Sequence, residues 1–245
     1  MSVDNRHARF PWTRQRRIVT STDDSIPEFE YVLAPFDAET RPIAKDLAFL
    51  HSTLLPTSPA SKLGMDFLTS FYYSNLVEDG HIFGCIAYID GKPVALWTGT
   101  ENSNGFMRIA LRRHFIRLTM ILVWSLLKDP RRIAGMIEAL QLMRVRKHSD
   151  ELIGETLSLG ILPAFRSRDF KGPTGVQISQ DISNTGQAEF CRRNVPLIRM
   201  VVDQANVRNQ AFSEGRGWKR TESSVDGWKT PSYEYRACPE DLFPH

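Results

Sequence analysis

The 245-residue sequence has little of what marks several classes of protein. Its three cysteines, Cys85, Cys191 and Cys238, are dispersed, which excludes a disulfide framework and a C-x-x-C metal site. The 15 glycines and 14 prolines are too few for a collagen-like or low-complexity chain. No run of 18 apolar residues occurs, so no membrane-spanning helix is predicted. The basic N-terminus lacks the apolar stretch of a secretory signal, and we expect a reducing, cytoplasmic compartment.

What the chain does contain is enough apolar sequence for one hydrophobic core. Apolar residues make up 42% of the chain and charged residues 24%, as in a globular domain. Residues 1–27 are rich in Arg and then in Ser, Thr and Asp, and we interpret them as a basic N-terminal tail. Residues 28–245 are predicted to form a single domain.

The net charge of +3 conceals a strong asymmetry. Residues 1–20 carry five Arg and one acidic residue, and residues 106–150 carry ten Lys or Arg and three acidic residues. The remaining residues are acidic on balance, with 16 Lys or Arg and 24 Asp or Glu. This concentration of charge favours an anionic partner for the two basic segments over general nucleic-acid binding. The alternative is that the charges are only the solvated faces of a tail and of helices.

Strands and helices alternate along the sequence, which predicts an α/β fold. An Asp90-Gly91-Lys92 turn between β-rich runs predicts a hairpin, because Gly tolerates the positive φ of a tight loop. The predicted strands are Glu30–Ala34, Ile82–Ile89, Pro93–Thr100, Glu155–Leu162, Leu197–Asp203, Trp218–Ser224 and Ser232–Ala237. The predicted helices are Arg41–Leu55, Leu63–Leu76, one from Met107 to Asp129-Pro130, Ile133–Val145, Gly175–Arg193 and Asn206–Arg216.

One segment has the pattern of an anion site. The strand in Leu157-Ser-Leu-Gly-Ile-Leu-Pro-Ala-Phe-Arg166 is followed by a loop with Gly172 and Gly175 and then by a helix. Helix N-termini present unpaired N–H groups, and glycines let a phosphate approach the backbone. Strand–loop–helix junctions with glycine are common, however, so this pattern alone is weak evidence.

A second segment makes the interpretation of the first one more specific. The strand Leu197–Asp203 is followed by Asn206, a short helix, and Gly217 and Trp218. In this order and at this spacing, the two segments resemble the acetyl-CoA motif and the later strand–Asn–helix motif of the GCN5-related N-acetyltransferase (GNAT) superfamily. The hairpin and the two helices upstream also follow the family order. The resemblance covers residues 30–104 and 152–237.

The resemblance implies a mixed, mostly antiparallel, twisted sheet flanked by helices, with an extra helical insert. It also implies direct acetyl transfer from acetyl-CoA, as co-substrate, to a primary amine, with no metal ion and no nucleic acid. A backbone N–H at the splayed end of strand 155–162 would stabilise the thioester oxygen. The residues that would bind acetyl-CoA are Ile161, Leu162, Arg166, Arg168, Lys171, Gly172, Gly175, Asn206 and Ser213.

The sequence departs from the family pattern in two places. The loop from Arg166 to Gly175 is longer than the family's Gly-rich loop, so the grip on the pyrophosphate must be rearranged or depend more on Arg168 and Lys171. Ser213 stands where the family often has a tyrosine that protonates the CoA thiolate. Either water replaces that tyrosine here, or another group does, such as Tyr233 or Tyr235.

The acceptor must lose a proton from its ammonium form before it can attack. Glu155 opens its strand and Glu101 closes the hairpin, and either is a candidate base, directly or through water. The plain alternative for each is a solvated carboxylate at a strand end. His81 and His148 are further candidates, and both fit surface positions as well.

The segment from about residue 106 to 150 is a helical insert that is both basic and apolar. Its arginines, Arg112 and Arg113 among them, are suited to an anionic acceptor, because guanidinium binds phosphate in a bidentate manner. We therefore expect a nucleotide-linked amino sugar of polysaccharide biosynthesis as acceptor, against an amino acid, polyamine or carrier-linked amine. A non-catalytic CoA-binding module is the rival from another class. For the insert itself, a packed helical hairpin, a homodimer contact and, as the less favoured choice, a membrane surface are alternatives.

Overall fold

The computed structural model describes residues 12–23, 26–103, 105–130, 133, 137, 153–224 and 231–242, with the backbone alone for 222–224. Eight strands form one sheet. They are β1 (Gln15–Val19), β2 (Phe29–Phe36), β3 (Phe83–Ile89), β4 (Lys92–Thr100), β5 (Gly154–Ile161), β6 (Ile198–Asp203), β7 (Lys219–Ser224) and β8 (Ser232–Ala237).

Nine helices are described, and several are short. They are α1 (Ala44–Leu54), α2 (Pro59–Lys62), α3 (Met65–Phe67), α4 (Asn75–Glu78), α5 (Phe106–Arg113), α6 (Phe115–Lys128), α7 (Arg168–Thr174), α8 (Ile178–Arg192) and α9 (Val207–Glu214). A π-helical turn at Leu68–Tyr72 follows α3, and 3-10 turns lie at Pro163–Arg166 and Pro239–Leu242.

The sheet order is β1-β2-β3-β4-β5-β6-β8-β7. Strands β5 and β6 are parallel, whereas the other neighbouring pairs described are antiparallel. The predicted fold class, a mixed and mostly antiparallel sheet flanked by helices, is therefore confirmed.

Alternate side chains of the central strands enter two hydrophobic cores, one on each face of the sheet. On one face, Trp97 of β4 packs with Phe83 and with Phe190 of α8. There, α8 lies so close to the sheet that a Cβ on Gly186 would meet the Trp97 ring at 2.4 Å. On the other face, Leu96 packs beneath α1, α4 and the helices α5 and α6. We call these the α8 face and the α1 face.

The hairpin between β3 and β4 forms as predicted. Asp90 and Gly91 have φ angles of 47° and 73°, the pair of positive values that a two-residue loop of matching twist requires. The backbone N–H of Glu30 donates to the Asp90 carboxylate, so the turn is also held to β2.

Four predictions need correction. The single helix predicted at Leu63–Leu76 is divided into α3, the π-helical turn and α4. Part of the supposed tail is strand β1, which pairs with β2 along its whole length, and Thr22 beyond it donates to the Pro173 carbonyl of α7. The single helix predicted from Met107 is two helices that break at His114. The predicted loop before Gly175 contains the helix α7, and α8 begins only at Ile178.

The helix predicted at Ile133–Val145 lies outside the described residues, apart from Ile133 and Ile137, which are helical. His148 and residues 1–11 of the predicted tail also lie outside them.

Candidate acyl-transfer site

The main irregularity of the sheet is the parallel pair β5 and β6. The two strands are paired over three positions only, from Gly154 opposite Ile198 to Thr156 opposite Met200. Strand β5 continues to Ile161 and β6 to Asp203 without further pairing between them. An opening therefore separates the C-terminal halves of these two central strands, as expected from the resemblance.

Backbone polar groups of β5 line this opening. The N–H of Leu162 donates to the Val94 carbonyl at 2.9 Å, on the β4 side. Hydrogen-bonding direction alternates along an antiparallel pair, so the N–H and C=O groups of Leu159 and Ile161 point away from β4 and into the opening. Of the two backbone sites predicted for the cofactor, Ile161 thus faces the opening, whereas the N–H of Leu162 is already used within the sheet.

The mouth of the opening is bridged by a contact that the sequence did not suggest. The guanidinium of Arg208 in α9 donates to the carbonyl oxygen of Arg166 at 3.4 Å. Arg166 and Arg168 are exposed and Lys171 is half-buried, so the predicted cationic groups lie on the loop and on α7, directly after β5. We call the loop after β5, α7 and the start of α9 the rim of the opening. The basic character of this rim was predictable, but the contribution from α9 was not.

The two predicted glycines do not lie in a phosphate-binding loop of the expected kind. Gly172 lies inside α7, and Gly175 ends that helix with a φ of 64°, which favours glycine. Neither would bring a Cβ within 4 Å of another group. The longer loop is therefore folded into a helical turn, and its glycines are exposed to solvent.

The first turn of α8 already contains a negative charge. Asp181 forms an ion pair with Arg17 of β1 at 3.0 Å. Burial raises the pKa of Asp181, and the Arg17 guanidinium opposes that shift. A carboxylate at this position competes with a phosphate for the positive end of the helix dipole. The phosphate site predicted at the helix N-terminus therefore has to rely on the cations of the loop and α7.

Asn206 precedes α9 and Ser213 lies in its last turn, and both have structural roles. The Asn206 side chain is the N-cap and accepts from the N–H of Asn209 at 3.2 Å. Ser213 is buried against Met200 of β6, and its hydroxyl donates to the Asn209 carbonyl at 2.7 Å. This hydroxyl is committed within its own helix, so it has no proton to offer a thiolate.

The two tyrosines of β8 lie on the α8 face of the sheet. Tyr233 is half-buried, with the Arg220 guanidinium over its ring at 4.5 Å. Tyr235 is fully buried, and its hydroxyl donates to the Glu214 carboxylate at 3.0 Å. Burial and this carboxylate raise the pKa of Tyr235. Tyr233 is thus the more accessible of the two tyrosines.

Glu155 lies where the strands separate. It is buried on the α1 face, one residue before Thr156, the last residue of β5 that pairs with β6. Its carboxylate accepts from Nη2 and Nε of Arg199 at 3.2 and 3.3 Å. Arg199 also approaches Glu234 at 3.7 Å, so Glu155 belongs to a buried chain of charges across three strands.

Glu101 belongs to a different cluster. It forms an ion pair with Arg193, at the end of α8, and Arg193 also contacts the buried Glu189 at 2.5 Å. The Arg193 guanidinium lies 4.2 Å from the centre of the Phe83 ring. Glu101 therefore secures the end of α8, and of the two predicted carboxylates only Glu155 borders the opening.

The predicted acceptor residues lie on the insert. Arg112 and Arg113 are both exposed at the end of α5. Arg113 contacts Asp79 at 3.3 Å, and Asp79 also accepts from Nε2 of His114 at 2.6 Å. These contacts explain the break between α5 and α6, because His114 is turned inward to reach α4.

His81, which was predicted as a further candidate base, is half-buried, and burial lowers its pKa.

A buried polar cluster on the α1 face was not predicted. Nδ1 of His51 lies 2.6 Å from the Tyr73 hydroxyl, and Nε2 lies 2.9 Å from the Ser58 hydroxyl. Burial lowers the pKa of His51 to about 4 and raises that of Tyr73, which neighbours Ser158 of β5. The helical register could have indicated the burial of His51, which follows Leu47 by four residues on the apolar side of α1.

Two cavities lie away from the opening. One, of about 520 Å³, lies between β2, β3 and the start of α1, and one of about 330 Å³ borders Asp37 and Arg192.

Within the described part of the chain, no group of three or more His, Cys, Asp or Glu side chains is arranged to hold a metal ion. None of the described helices has both the length and the apolar character needed to cross a membrane.

The fold and the site together define a mixed α/β protein with a separated parallel strand pair and a basic rim. No family model and no curated protein matches the chain. Several of the solved structures that are similar to it are described as acetyltransferases, and two of those are assigned to the GNAT family. One is NAA60 of Arabidopsis thaliana in complex with acetyl-CoA, with 14% identity, a TM-score of 0.48, and coverage of 85% of this chain and 98% of that one.

Two bacterial proteins are similar to the same extent. An acetyltransferase from Streptococcus agalactiae has 10% identity and a TM-score of 0.49, with coverage of 85% of this chain and 98% of its own. An acetyltransferase assigned to the GNAT family, from Desulfovibrio desulfuricans, has 7% identity and a TM-score of 0.48, with coverage of 84% and 99%.

Proposed function

We propose that this protein transfers an acetyl group from acetyl-CoA to a primary amine of a small acceptor. The observation that carries the proposal is the opening between β5 and β6, into which the backbone groups of Leu159 and Ile161 point. The order and spacing of the two sequence motifs, one on each side of this opening, support it independently.

The backbone of β5 is suited to an acyl thioester with an amide-containing arm. Such an arm can pair with the unused N–H and C=O groups of a strand, as an added strand would. A backbone N–H close to the thioester also stabilises the negative charge that develops on its oxygen during attack. Leu159 and Ile161 are the residues to which we assign these roles.

The rim of the opening is suited to the phosphates of CoA. Arg166, Arg168 and Lys171 follow β5 directly, and Arg208 reaches the same rim from α9. Guanidinium groups bind phosphate oxygens in a bidentate manner, which compensates for the absence of a Gly-rich cradle.

Glu155 is the group to which we assign deprotonation of the acceptor, through a water molecule. It lies at the last paired positions of β5 and β6, whereas Glu101 is held by Arg193 at the end of α8. The Arg199 guanidinium bonded to Glu155 fixes the orientation of the carboxylate. Tyr233 is the candidate for protonation of the departing thiolate.

For the acceptor we propose an anionic amine, with a nucleotide-linked amino sugar as the first candidate. The support is the excess of basic residues in the insert and the exposure of Arg112 at the end of α5. An amino acid, a polyamine and a carrier-linked amine are the other acceptors to be compared.

The test is release of free CoA thiol from acetyl-CoA in the presence of a panel of amines that includes nucleotide-linked amino sugars. We expect amine-dependent release, with the highest kcat/KM for an anionic acceptor. Calorimetric binding of CoA without turnover on any amine would instead indicate the non-catalytic module. Absence of CoA binding by the folded protein would refute both.

A further inference from the structure

The outward surface of α6 carries an unusual row of apolar side chains. Seven of the fourteen large hydrophobic residues that are exposed in the described part of the chain lie between Ile109 and Leu127. The other seven are Ile18, Ile43, Phe49, Met65, Ile133, Ile137 and Val207. Isolated exposed hydrophobic residues are ordinary on a protein surface, whereas a contiguous group indicates a contact surface.

Five of these residues form one stripe. Successive residues of an α-helix are about 100° apart, so positions i, i+4, i+7, i+8 and i+11 share a face. In α6 these positions are occupied, with exposed fractions of 51–74%, by Ile116, Met120, Val123, Trp124 and Leu127. We call this set the α6 stripe.

The opposite side of α6 fixes the stripe in its outward orientation. Leu118 is buried in the core of the α1 face. The Ser125 hydroxyl donates to the Leu63 carbonyl at 2.8 Å, which ties the last turns of α6 to the segment before α3. The helix therefore cannot turn its apolar side inward without losing both contacts.

The segment that carries the stripe is rich in positive charge. The 23 residues from Phe106 to Lys128 include no Asp or Glu, and they carry Arg108, Arg112, Arg113, Arg117 and Lys128. Arg117 and Lys128 fall at one edge of the stripe. Among the described residues, Asp79 contacts Arg113 at 3.3 Å, Asp66 contacts Lys128 at 2.6 Å, and Asp129 directly follows α6. The surface remains cationic on balance.

We propose that the α6 stripe and its flanking cations dock the protein on the surface of an anionic lipid bilayer. An amphipathic helix with an apolar face and a Lys- or Arg-rich margin lies flat at the boundary of headgroups and acyl chains. Its cations then interact with lipid phosphates, and an aromatic side chain such as Trp124 sits at headgroup level. The 14 residues of α6 are too few to span a bilayer, which needs about 20.

A second copy of the chain is a less suitable occupant for this surface. A symmetric dimer through the α6 stripe would place the same cations of both protomers along one interface. Like charges that face each other across an interface oppose association. An anionic bilayer, in contrast, satisfies the apolar and the cationic parts of the surface together.

The experiment is flotation of the full chain with vesicles of phosphatidylcholine alone or with 30% phosphatidylglycerol. We expect binding to the anionic vesicles, weaker but still measurable at 0.5 M salt, because salt screens only the charged part. Replacement of Ile116→Glu together with Leu127→Glu is expected to lower the partition coefficient at least about tenfold, since two large apolar side chains are lost from the contact.

The matched control is Ile18→Glu together with Ile43→Glu, which changes the charge equally at two exposed apolar positions on other elements. We expect this variant to bind vesicles as the wild type does. Thermal unfolding of both variants verifies the fold, and an uncharged pair, Met120→Ser with Trp124→Ser, repeats the test if the first pair is unfolded. Substitution of Arg117→Gln with Lys128→Gln, the cations at the edge of the stripe, is expected to reduce the preference for anionic over neutral vesicles.

Three results would overturn the proposal. The first is absence of wild-type binding to anionic vesicles. The second is equal loss of binding in the stripe variant and the control variant. The third is a dimer that the stripe variant dissociates, with no vesicle binding, which would make the stripe a self-association surface.

Discussion

The guanidinium of Arg208 donates to the backbone carbonyl of Arg166 across the mouth of the opening between β5 and β6. One residue belongs to the helix after β6 and the other to the turn after β5, so a single contact joins the two segments that the sequence motifs single out. At 3.4 Å it is a long hydrogen bond between exposed groups, which contributes little to stability but places a cation on the rim.

Replacement of Arg208→Ala is therefore expected to weaken acetyl-CoA binding rather than folding. We expect a roughly tenfold higher Kd for acetyl-CoA by calorimetry, as is typical for the loss of one charge-assisted hydrogen bond. The melting temperature should change by no more than that of Arg41→Ala, a control that also removes an exposed arginine, in this case one that pairs with Glu78. An unchanged Kd would remove Arg208 from the proposed phosphate site.

The two glycines of the loop provide a pair of contrasting stability predictions. Gly175 has a φ of 64°, so Gly175→Ala should destabilise the protein by about 1 kcal/mol, the cost of the left-handed conformation for a residue with a Cβ. Gly172 lies inside α7 with open space around it, but Pro173 follows it, and a Cβ before proline disfavours the helical backbone. Gly172→Ala should therefore change stability by less than about 0.5 kcal/mol, because this crowding opposes the gain in helix propensity. Denaturant titration measures both. Equal effects of the two substitutions would contradict the boundary of α7 described above.

The sequence was sufficient for the elements whose signals are local. The Asp90-Gly91 turn, the strands β5 and β6 and the helix after Asn206 follow from turn chemistry and from runs of apolar residues. Strand β1 was missed because its Arg-rich segment resembles a solvated tail, and only pairing with β2 makes it a strand. The break at His114 was missed for a similar reason, since it depends on the distant Asp79.

The candidate site was predictable in its location and less so in its details. The motifs indicated the opening, and the bond from the Ser213 hydroxyl to the Asn209 carbonyl is a local contact within one helical turn. No local pattern, however, reveals that Glu101 is held by Arg193, which lies at a remote helix end. Long-range pairing of this kind is decided by the packed structure, which explains why several candidates could not be separated from the sequence.

Glu155 and Glu101 are now distinguishable by experiment. Glu155→Gln retains the size of the side chain and a hydrogen-bond acceptor for Arg199 but removes the base. We expect kcat for acetyl transfer to fall at least about 100-fold, the lower range for loss of a general base, and the lost activity to recover partly at higher pH. The KM for acetyl-CoA should remain within about threefold, since the base is not part of the proposed cofactor contacts.

Glu101→Gln serves as the matched substitution. It weakens a half-exposed ion pair with Arg193, which is expected to cost less than about 1 kcal/mol. The kcat should then stay close to that of the wild type. A larger loss of kcat in Glu101→Gln than in Glu155→Gln would reverse the assignment of the base.

The last prediction concerns the dependence of stability on pH, through His51. Burial lowers the pKa of this imidazole in the folded protein to about 4, against about 6.5 for an exposed histidine. Between these values the unfolded chain binds the proton and the folded protein does not, so protonation favours unfolding. The contribution of neutral His51 to the free energy of unfolding is complete above pH 6.5, decreases as the pH falls, and is lost at pH 4. The change is about 3 kcal/mol for this group.

The measurement is the free energy of unfolding from denaturant titrations at intervals between pH 7.5 and 4, for the wild type and His51→Gln. The variant loses the hydrogen bonds to Tyr73 and Ser58, so it should be less stable at pH 7, but its curve should be flatter across the window. His81→Gln is the control, because His81 is only half-buried and its substitution should leave most of the slope in place. If the slope of His51→Gln equalled that of the wild type, the folded and unfolded states would bind the His51 proton equally, and burial would not lower the pKa of this imidazole.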